Sequence, residues 1–415
     1  MTQKTLAVIG GGAAGFFCAV NAARLDPSLE VIVFEKTSKL LSKVRISGGG
    51  RCNVTHACFD IAEMSLKYPR GRNFIRKSFY HFFTSDTIEW FTSRGVPLKE
   101  EADGRMFPET DSSATIIECL LAEANHYKVS IRMNREVVRV EKKDAGWIVQ
   151  FRNEERIYAD VLCIACGGYA KDAQFEWLTS LGHNYESPVP SLFTFNIPGN
   201  NINSLMGISV AGIKVKIAGT KLEESGPVLI THWGLSGPVI LRLSAWGAKE
   251  LAKKDYRFLL QINWVPSLHQ QSMQETLQQR RTDFPSHSLF EKNPFLLPAR
   301  LWEYILQQSE IKPGTRWADL SSSGLNKLAK FLCNHELEVR GKTTYKEEFV
   351  TAGGIVLSEI DANTMRSKLH SNLFFAGEIL DVDGITGGFN FQHAWTSGWV
   401  AANAIHKYMK SGSKT

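Results

Sequence analysis

Three glycines near the start of the chain have the spacing to hold a diphosphate. Gly10, Gly12 and Gly15 form a Gly-x-Gly-x-x-Gly pattern, and Glu35 follows twenty residues after the last of them. Gly10 permits a tight turn, Gly12 lets backbone approach a pyrophosphate, and Gly15 lets a helix pack closely on a strand. The helix start then offers unpaired amide N–H groups to the anionic phosphates. Glu35 ends the next apolar run, where a carboxylate accepts hydrogen bonds from ribose hydroxyls. Glycines alone are weak evidence. Here a strand pattern precedes them, a helix pattern follows and the acid stands at the right distance, which predicts a dinucleotide-binding βαβ unit.

Later glycine pairs point to which dinucleotide. Gly167-Gly168 follows the apolar run Asp160–Ala165, and Gly377-Glu378 follows Leu373–Ala376. Ligands bind at the carboxyl ends of such strands, and a carboxylate at Glu378 suits the ribityl hydroxyls of a flavin. The helix expected after Gly387-Gly388-Phe389-Asn390 would aim its positive end at the flavin pyrimidine edge, favouring an anionic reduced ring. FAD is therefore the expected cofactor. No second Gly-x-Gly-x-x-Gly exists, so NAD(P)H is expected only as a transient donor, in a cleft between the FAD domain and an inserted domain. The loop Arg45-Ile46-Ser47-Gly48-Gly49-Gly50-Arg51-Cys52-Asn53 brings backbone close to a ligand and adds two arginines for phosphate or carboxylate. That loop and His232 are the candidates to line the cleft.

Cys52 and Cys58 resemble a redox dithiol, but the spacing is one residue longer than in flavin disulfide reductases, and structural thiols are expected. His232, in Thr231–Pro238, is either an acid-base group or a satisfied structural residue, and the second is favoured. No His/Cys/Asp cluster has metal-ligand spacing, and Ser236 lies in no Gly-x-Ser-x-Gly elbow.

Several elements would position these residues. Leu6–Ile9, Glu30–Phe34 and Asp160–Ala165 read as buried strands, Ala13–Arg24 as a helix, and Thr37–His56 as an ordered loop. Helices are expected at Thr84–Arg94 and Ser112–Asn125, and strands at Ser130–Glu141 and Gly146–Phe151. From about Ser187 strand-like pieces alternate with polar turns, followed by helical patterns at Pro266–Arg281, Pro298–Gln308 and Ser323–Asn334. Leu373–Ala376 returns to strand, and a helix runs from about Phe391 to Tyr408. The predicted fold class is α/β: a Rossmann-type FAD-binding domain built from residues 1–188 and 346–415, with a β-rich and helical domain inserted at 189–345.

With 415 residues, 43% hydrophobic and 22% charged, the composition is that of a globular protein large enough to need no stapling. The net charge of +6 reads as small and spread out, with Lys67–Lys77 a solvated face, so no nucleic-acid partner is expected. Seven cysteines, an odd number in apolar settings, fit reduced thiols and a cytoplasmic location. The uncharged run Leu6–Ala23 contains the triple glycine and reads as strand and helix rather than a membrane span.

The sequence resembles the BaiN/RdsA-like family of bacterial NAD(P)/FAD-dependent oxidoreductases, which includes aminoacetone oxidases. The likeness runs over almost the whole chain. Its motifs are Ile9–Gly15, Ser47–Thr55, Gly104–Pro108, Thr231–Pro238, Thr351–Gly354, Gly377–Gly384 and Gly387–Asn390. His56 stands where Asn is common. The resemblance implies a discontinuous FAD domain and a backbone contact from Val137 to adenine. Taken with the motifs, it implies a cofactor-binding set of Gly10, Gly12, Ala13, Ala14, Gly15, Glu35, Lys36, Arg45, Ser47, Gly48, Gly49, Arg51, Cys52, Asn53, Val137, Cys166, Gly167, Gly168, Gly377, Glu378, Asp383, Gly387, Gly388, Phe389 and Asn390. The expected activity is hydride transfer through flavin N5 between NAD(P)H or a small substrate and an acceptor. A flavin-dependent amine oxidase using oxygen and a non-enzymatic FAD-binding redox sensor stand as alternatives, with no membrane partner.

Overall fold

A computed structural model describes residues 3–343 and 350–411. The first apolar runs become β1 (Thr5–Ile9), α1 (Ala13–Leu25) and β2 (Glu30–Phe34). Later in the chain come α2 (Arg72–Phe79), β3 (Ser130–Arg132), β4 (Val161–Ile164), β5 (Leu373–Phe375) and α3 (Phe389–Ser411). The five strands lie side by side in the order β5-β4-β1-β2-β3, all parallel. Short antiparallel strands Ile360–Asp361 and Arg366–Ser367 extend the β5 edge. Leu6, Ala7, Val8, Leu162, Cys163, Ile164 and Phe374 are wholly buried, which is why these strands read as continuous apolar runs rather than alternating ones.

The register pairs Ile9 with both Phe34 and Ile164, so β1, β2 and β4 end level. The chain therefore leaves one sheet edge at Gly10, Glu35 and Ala165. After β5, Gly377 leaves the sheet too. Helices α1 and α3 pack closely, because Gly398 has no side chain: a Cβ there would stand 2.6 Å from the Ala14 carbonyl oxygen.

The chain divides into two compact units, Met1–Ser191 with Lys346–Thr415, and Leu192–Tyr345. The first expected junction, 188/189, falls three residues before the end of Ser191; the second, 345/346, lies outside the described residues. The second unit holds a seven-stranded sheet that includes Ser209–Ile217, Glu223–Ile230, Arg257–Asn263 and His335–Arg340. Alternation is clear in Arg257–Asn263, where Phe258, Leu260 and Ile262 are buried. Helices Pro238–Lys253, Gln270–Asp283, Ala299–Gln308 and Ser322–Cys333 supply Leu243, Leu277, Trp302 and Leu328 to its core.

Two expectations need correction. Thr37–His56 is not all loop: Ser42–Gly50 begins as a helix around buried Val44, and the helical path breaks where Ser47 turns extended (ψ 148°) and Gly48 and Gly49 turn left-handed. Ser130–Glu141 is not one strand. Asn134 takes a left-handed φ of 56°, a conformation Asn tolerates, and splits the run into β3 and a separate strand, Val137–Lys143. That second strand pairs with Gly146–Phe151 in a three-stranded sheet of its own. Among the described residues no helix is long and apolar enough to cross a membrane.

Candidate cofactor site

The turn after β1 is shaped by what its glycines must avoid. Gly10 has φ +119°, and a Cβ there would lie 2.2 Å from the Ala165 carbonyl oxygen; one on Gly15 would lie 2.0 Å from that of Gly10. Gly12 is different: a Cβ there meets nothing within 4 Å. It opens α1 with no side-chain cap and no acid in the first turn. Ala13 and Ala14 thus begin a helix whose first turn has no side-chain cap, and such uncapped amides are what an anion pairs with.

Glu35 stands beside this turn. One carboxylate oxygen accepts from the Gly11 N–H at 3.0 Å and the other from Thr37 at 2.9 Å, so its orientation is fixed while lone pairs remain. Next to it lies a cavity of about 280 Å³ whose walls include Glu35, Lys36, Val137, Cys166, Tyr169 and Trp177. Lys36 is exposed at its rim. Its lining mixes apolar and charged side chains, as small-molecule sites do.

The Ser47–Asn53 loop belongs to the same unit. Asn53 links it to the Gly387–Asn390 turn: with its amide oriented to satisfy both ends, its nitrogen donates to the Thr55 carbonyl at 3.0 Å and its oxygen accepts from the Gly388 N–H at 2.9 Å. A Cβ on Gly388 would strike the Thr55 oxygen at 2.5 Å. His56 Nδ1 contacts the Gly387 carbonyl at 3.1 Å, and its ring packs on Phe389. Asn390 closes the turn by bonding both the N–H and the carbonyl of Gly384. Gly48 and Gly49 keep the loop in left-handed conformations. Arg45 is exposed.

Arg51 is not free to bind a phosphate. Its guanidinium pairs with Glu101 at 2.6 Å and Asp111 at 3.5 Å and lies over the Phe107 ring. Cys52 is buried at φ 63°, and burial pushes its thiol up to about 12; Cys58 is raised for the same reason. All seven cysteines are free thiols, so the dithiol reading finds no reactive thiolate.

Gly168, Thr351, Glu378 and Lys43 meet at the sheet edge. Glu378 accepts from the Thr351 N–H at 2.9 Å and pairs with Lys43, and a Cβ on Gly168 would lie 2.5 Å from Thr351 Oγ1. Gly167, at φ +76°, has open space around it. Gly377, at φ +74°, sits against Ala14. Asp383 departs from its expected role. It is buried, its carboxylate is gripped by Arg70, and it also accepts from Ser191 Oγ at 2.8 Å. Burial raises its pKa against the pull of Arg70. Its carboxylate is committed to bracing the loop rather than open to a ligand.

His393, in α3, was not singled out by its sequence. Its Nε2 contacts the Gly377 carbonyl at 3.2 Å, which requires the proton on that nitrogen, and its buried Nδ1 has no hydrogen-bond partner among the described residues. Burial lowers its pKa to about 4. Arg70 and Lys43 were missed as well, and Thr351 was named only within its motif and not as a site residue, since each acts on a residue more than 25 positions away. His232, in the second unit, is exposed, stands edge-on to Trp233, and has no hydrogen-bond partner among the described residues. Among the described residues no group of acids, histidines or cysteines has the geometry to hold a metal.

Residues 4–404 match the HI0933-like protein Rossmann domain. The chain belongs to this family. It is a family of FAD-binding oxidoreductases, as the sequence resemblance implies. Similar curated proteins include the 3-dehydro-bile acid delta(4,6)-reductase of Clostridium scindens, 26% identical over 97% of this chain and 99% of that one. Another is the ribosomal RNA dihydrouridine synthase of Escherichia coli, 28% identical over 96% of this chain and 97% of that one. Among solved structures, a flavocytochrome c3 fumarate reductase in an open conformation superposes with a TM-score of 0.51 at 15% identity, covering 98% of this chain and 78% of that one. That likeness bears on the fold alone.

Proposed function

We propose that this protein is an FAD-dependent reductase of carbon–carbon double bonds conjugated to a carbonyl, with NAD(P)H as donor. The observation that carries the cofactor assignment is the uncapped start of α1, open at Gly12, beside the Glu35-lined cavity. In this reading the α1 amides and Gly12 hold the pyrophosphate and Glu35 the adenosine ribose. Val137 borders the adenine, and Glu378, steadied by Thr351 and Lys43, faces the ribityl chain. The Gly387–Asn390 turn, braced by Asn53 and His56, presents the α3 N-terminus to the flavin ring. When bound, FAD supplies the two-electron carrier between donor and acceptor. The protein's share is to bind, orient and exclude water.

The relatives' names support this acceptor class. A delta(4,6)-reductase saturates double bonds, and forming dihydrouridine adds two hydrogens across the double bond of a uracil ring. Both acceptors are double bonds made electrophilic by a carbonyl, so hydride goes to the β carbon and a proton to the α carbon. Purified protein should be yellow and release FAD on heating. Under anaerobic stopped flow, NADPH or NADH should bleach the flavin and an enone should restore its colour. Colourless protein that fails to take up FAD would overturn the assignment. Reduction only by an amine, with peroxide formed, would move it to the oxidases.

A further inference from the structure

Two histidines hold carbonyls in the turns of the candidate site, and only one of them is open to exchange a proton with solvent. His393 is sealed, with Nδ1 buried. His56 is half-buried, and its Nδ1 lies 3.1 Å from the Gly387 carbonyl oxygen. That oxygen only accepts, so Nδ1 carries the proton and Nε2 is the lone pair of the neutral ring. Nε2 has no hydrogen-bond partner among the described residues, yet it is not sealed from solvent. Room for it is built in: a Cβ on Gly104 would stand 2.7 Å from Nε2. The ring also packs on Phe389, the first residue of α3, with centroids 4.7 Å apart. His56 is therefore fixed to the Gly387–Asn390 turn at two points while one nitrogen stays open.

The charges around the ring come close to balance. Burial, the largest influence, lowers the His56 pKa; the Gly387 carbonyl raises it, Lys67 lowers it, and Asp103 and Glu100 raise it, with a net lowering. The strand Thr55–His56 sets His56 opposite Arg105, whose guanidinium is tied to Asp103 and Glu101. Burial raises the Cys58 thiol, which stays uncharged. The Gly387–Asn390 turn carries no ionisable side chain of its own. At neutral pH the ring is therefore uncharged, and one added negative charge beside that turn would decide its state.

We propose that His56 is a redox-linked proton site: Nε2 binds a proton when the bound flavin is reduced and releases it on reoxidation, while Nδ1–H holds the Gly387 carbonyl in both states. This rests on the reading above, in which the Gly387–Asn390 turn presents α3 to the flavin ring. Hydride brings two electrons and one proton and leaves one extra negative charge at that ring. A nearby anion favours the imidazolium. Both ring nitrogens of an imidazolium donate, so the brace on Gly387 survives the change. The proton comes from solvent, through the open nitrogen. When the hydride passes on to the β carbon of an acceptor, Nε2 returns its proton to solvent, matching the one that the α carbon consumes. The coupling is reciprocal: a protonated His56 makes the flavin easier to reduce.

The test is the two-electron midpoint potential of the FAD-loaded protein, read from its spectrum against a reference dye, with dithionite as reductant, from about pH 5.5 to about pH 8.5. Wild type should show a segment in which the potential falls twice as steeply with pH as on its alkaline side, because two protons rather than one accompany two electrons there. His56→Asn keeps an N–H for the Gly387 carbonyl but does not titrate, and its line should hold the shallower slope throughout. Lys67→Met should move the break to higher pH and Asp103→Asn to lower pH. A wild-type line that keeps the shallow slope overturns the proposal without any variant. A steep segment that persists in His56→Asn assigns the proton to another group and overturns it too. Dithionite and dye stand in for both NAD(P)H and the enone, so the two readings fail separately. Colourless protein removes the flavin assignment and the proton site with it. Yellow protein that no nicotinamide reduces, but whose steep segment is lost in His56→Asn, removes the reductase reading and leaves the proton site standing.

Discussion

Gly12 separates ligand effects from folding effects at a single atom. Because a Cβ there meets nothing within 4 Å and the backbone φ is −94°, Gly12→Ala should leave thermal stability unchanged. Gly12→Asp adds bulk and negative charge where the pyrophosphate would approach, and FAD retention should fall well beyond tenfold, or about 1.4 kcal/mol. Full FAD in the purified Asp variant would refute the assignment. A second residue-scale prediction concerns pH. His335 is buried, accepts from Trp264 Nε1 at 3.2 Å, and has its pKa lowered to about 4. An unfolded histidine titrates near 6.5. Between those values only the unfolded state binds the proton, so stability rises with pH across that window and is fully gained above it. The ring accounts for roughly 3 kcal/mol of that rise. Urea titrations from pH 4 to pH 7 should show a steeper rise for wild type than for His335→Gln; parallel curves would count against it. The glycine pattern and Glu35 were legible in the sequence because their spacing is local. Arg70 and His393 were not, since their partners Asp383 and Gly377 join them only through folding.

At the scale of elements, strands β1, β2 and β4 were readable because burial on both faces leaves an unbroken apolar run. The helix inside Thr37–His56 was not, because it has one buried residue, Val44, and no amphipathic stripe. The break at Asn134 was hidden because the strands on either side of it have similar composition. Helix α3 was readable in period, but its close contact with α1 was not. That contact gives a prediction. Gly398→Val would push against the Ala14 carbonyl oxygen, 2.6 Å from the new Cβ. It should cost about 1–3 kcal/mol, as overpacking does, and weaken FAD retention by shifting the α1 start. A variant with wild-type melting temperature and wild-type flavin content would show that the two helices yield freely.

At the scale of the molecule, the first unit is assembled from both ends of the chain. β5 pairs with β4, and α3 packs on α1, although more than 200 residues separate each pair. Ending the chain at His370 would remove β5, Gly377, Glu378 and α3 together. Such a protein should neither retain FAD nor give the cooperative melting of the full chain. FAD bound at full stoichiometry would show that the N-terminal βαβ unit suffices.

Joining the two ends also sets an order on biosynthesis. The glycine turn at Gly10–Gly15 leaves the ribosome well before its neighbours in space, Gly377 and Gly398, which touch Ala14. During synthesis the nascent βαβ unit must wait with its apolar strand edge uncovered, the state in which chains aggregate or recruit chaperones. Cofactor capture then becomes a report on how far translation has run: a ribosome that stops before Phe389–Ser411 is made releases a colourless, unsealed fragment, and only a chain that carries this helix closes around its flavin.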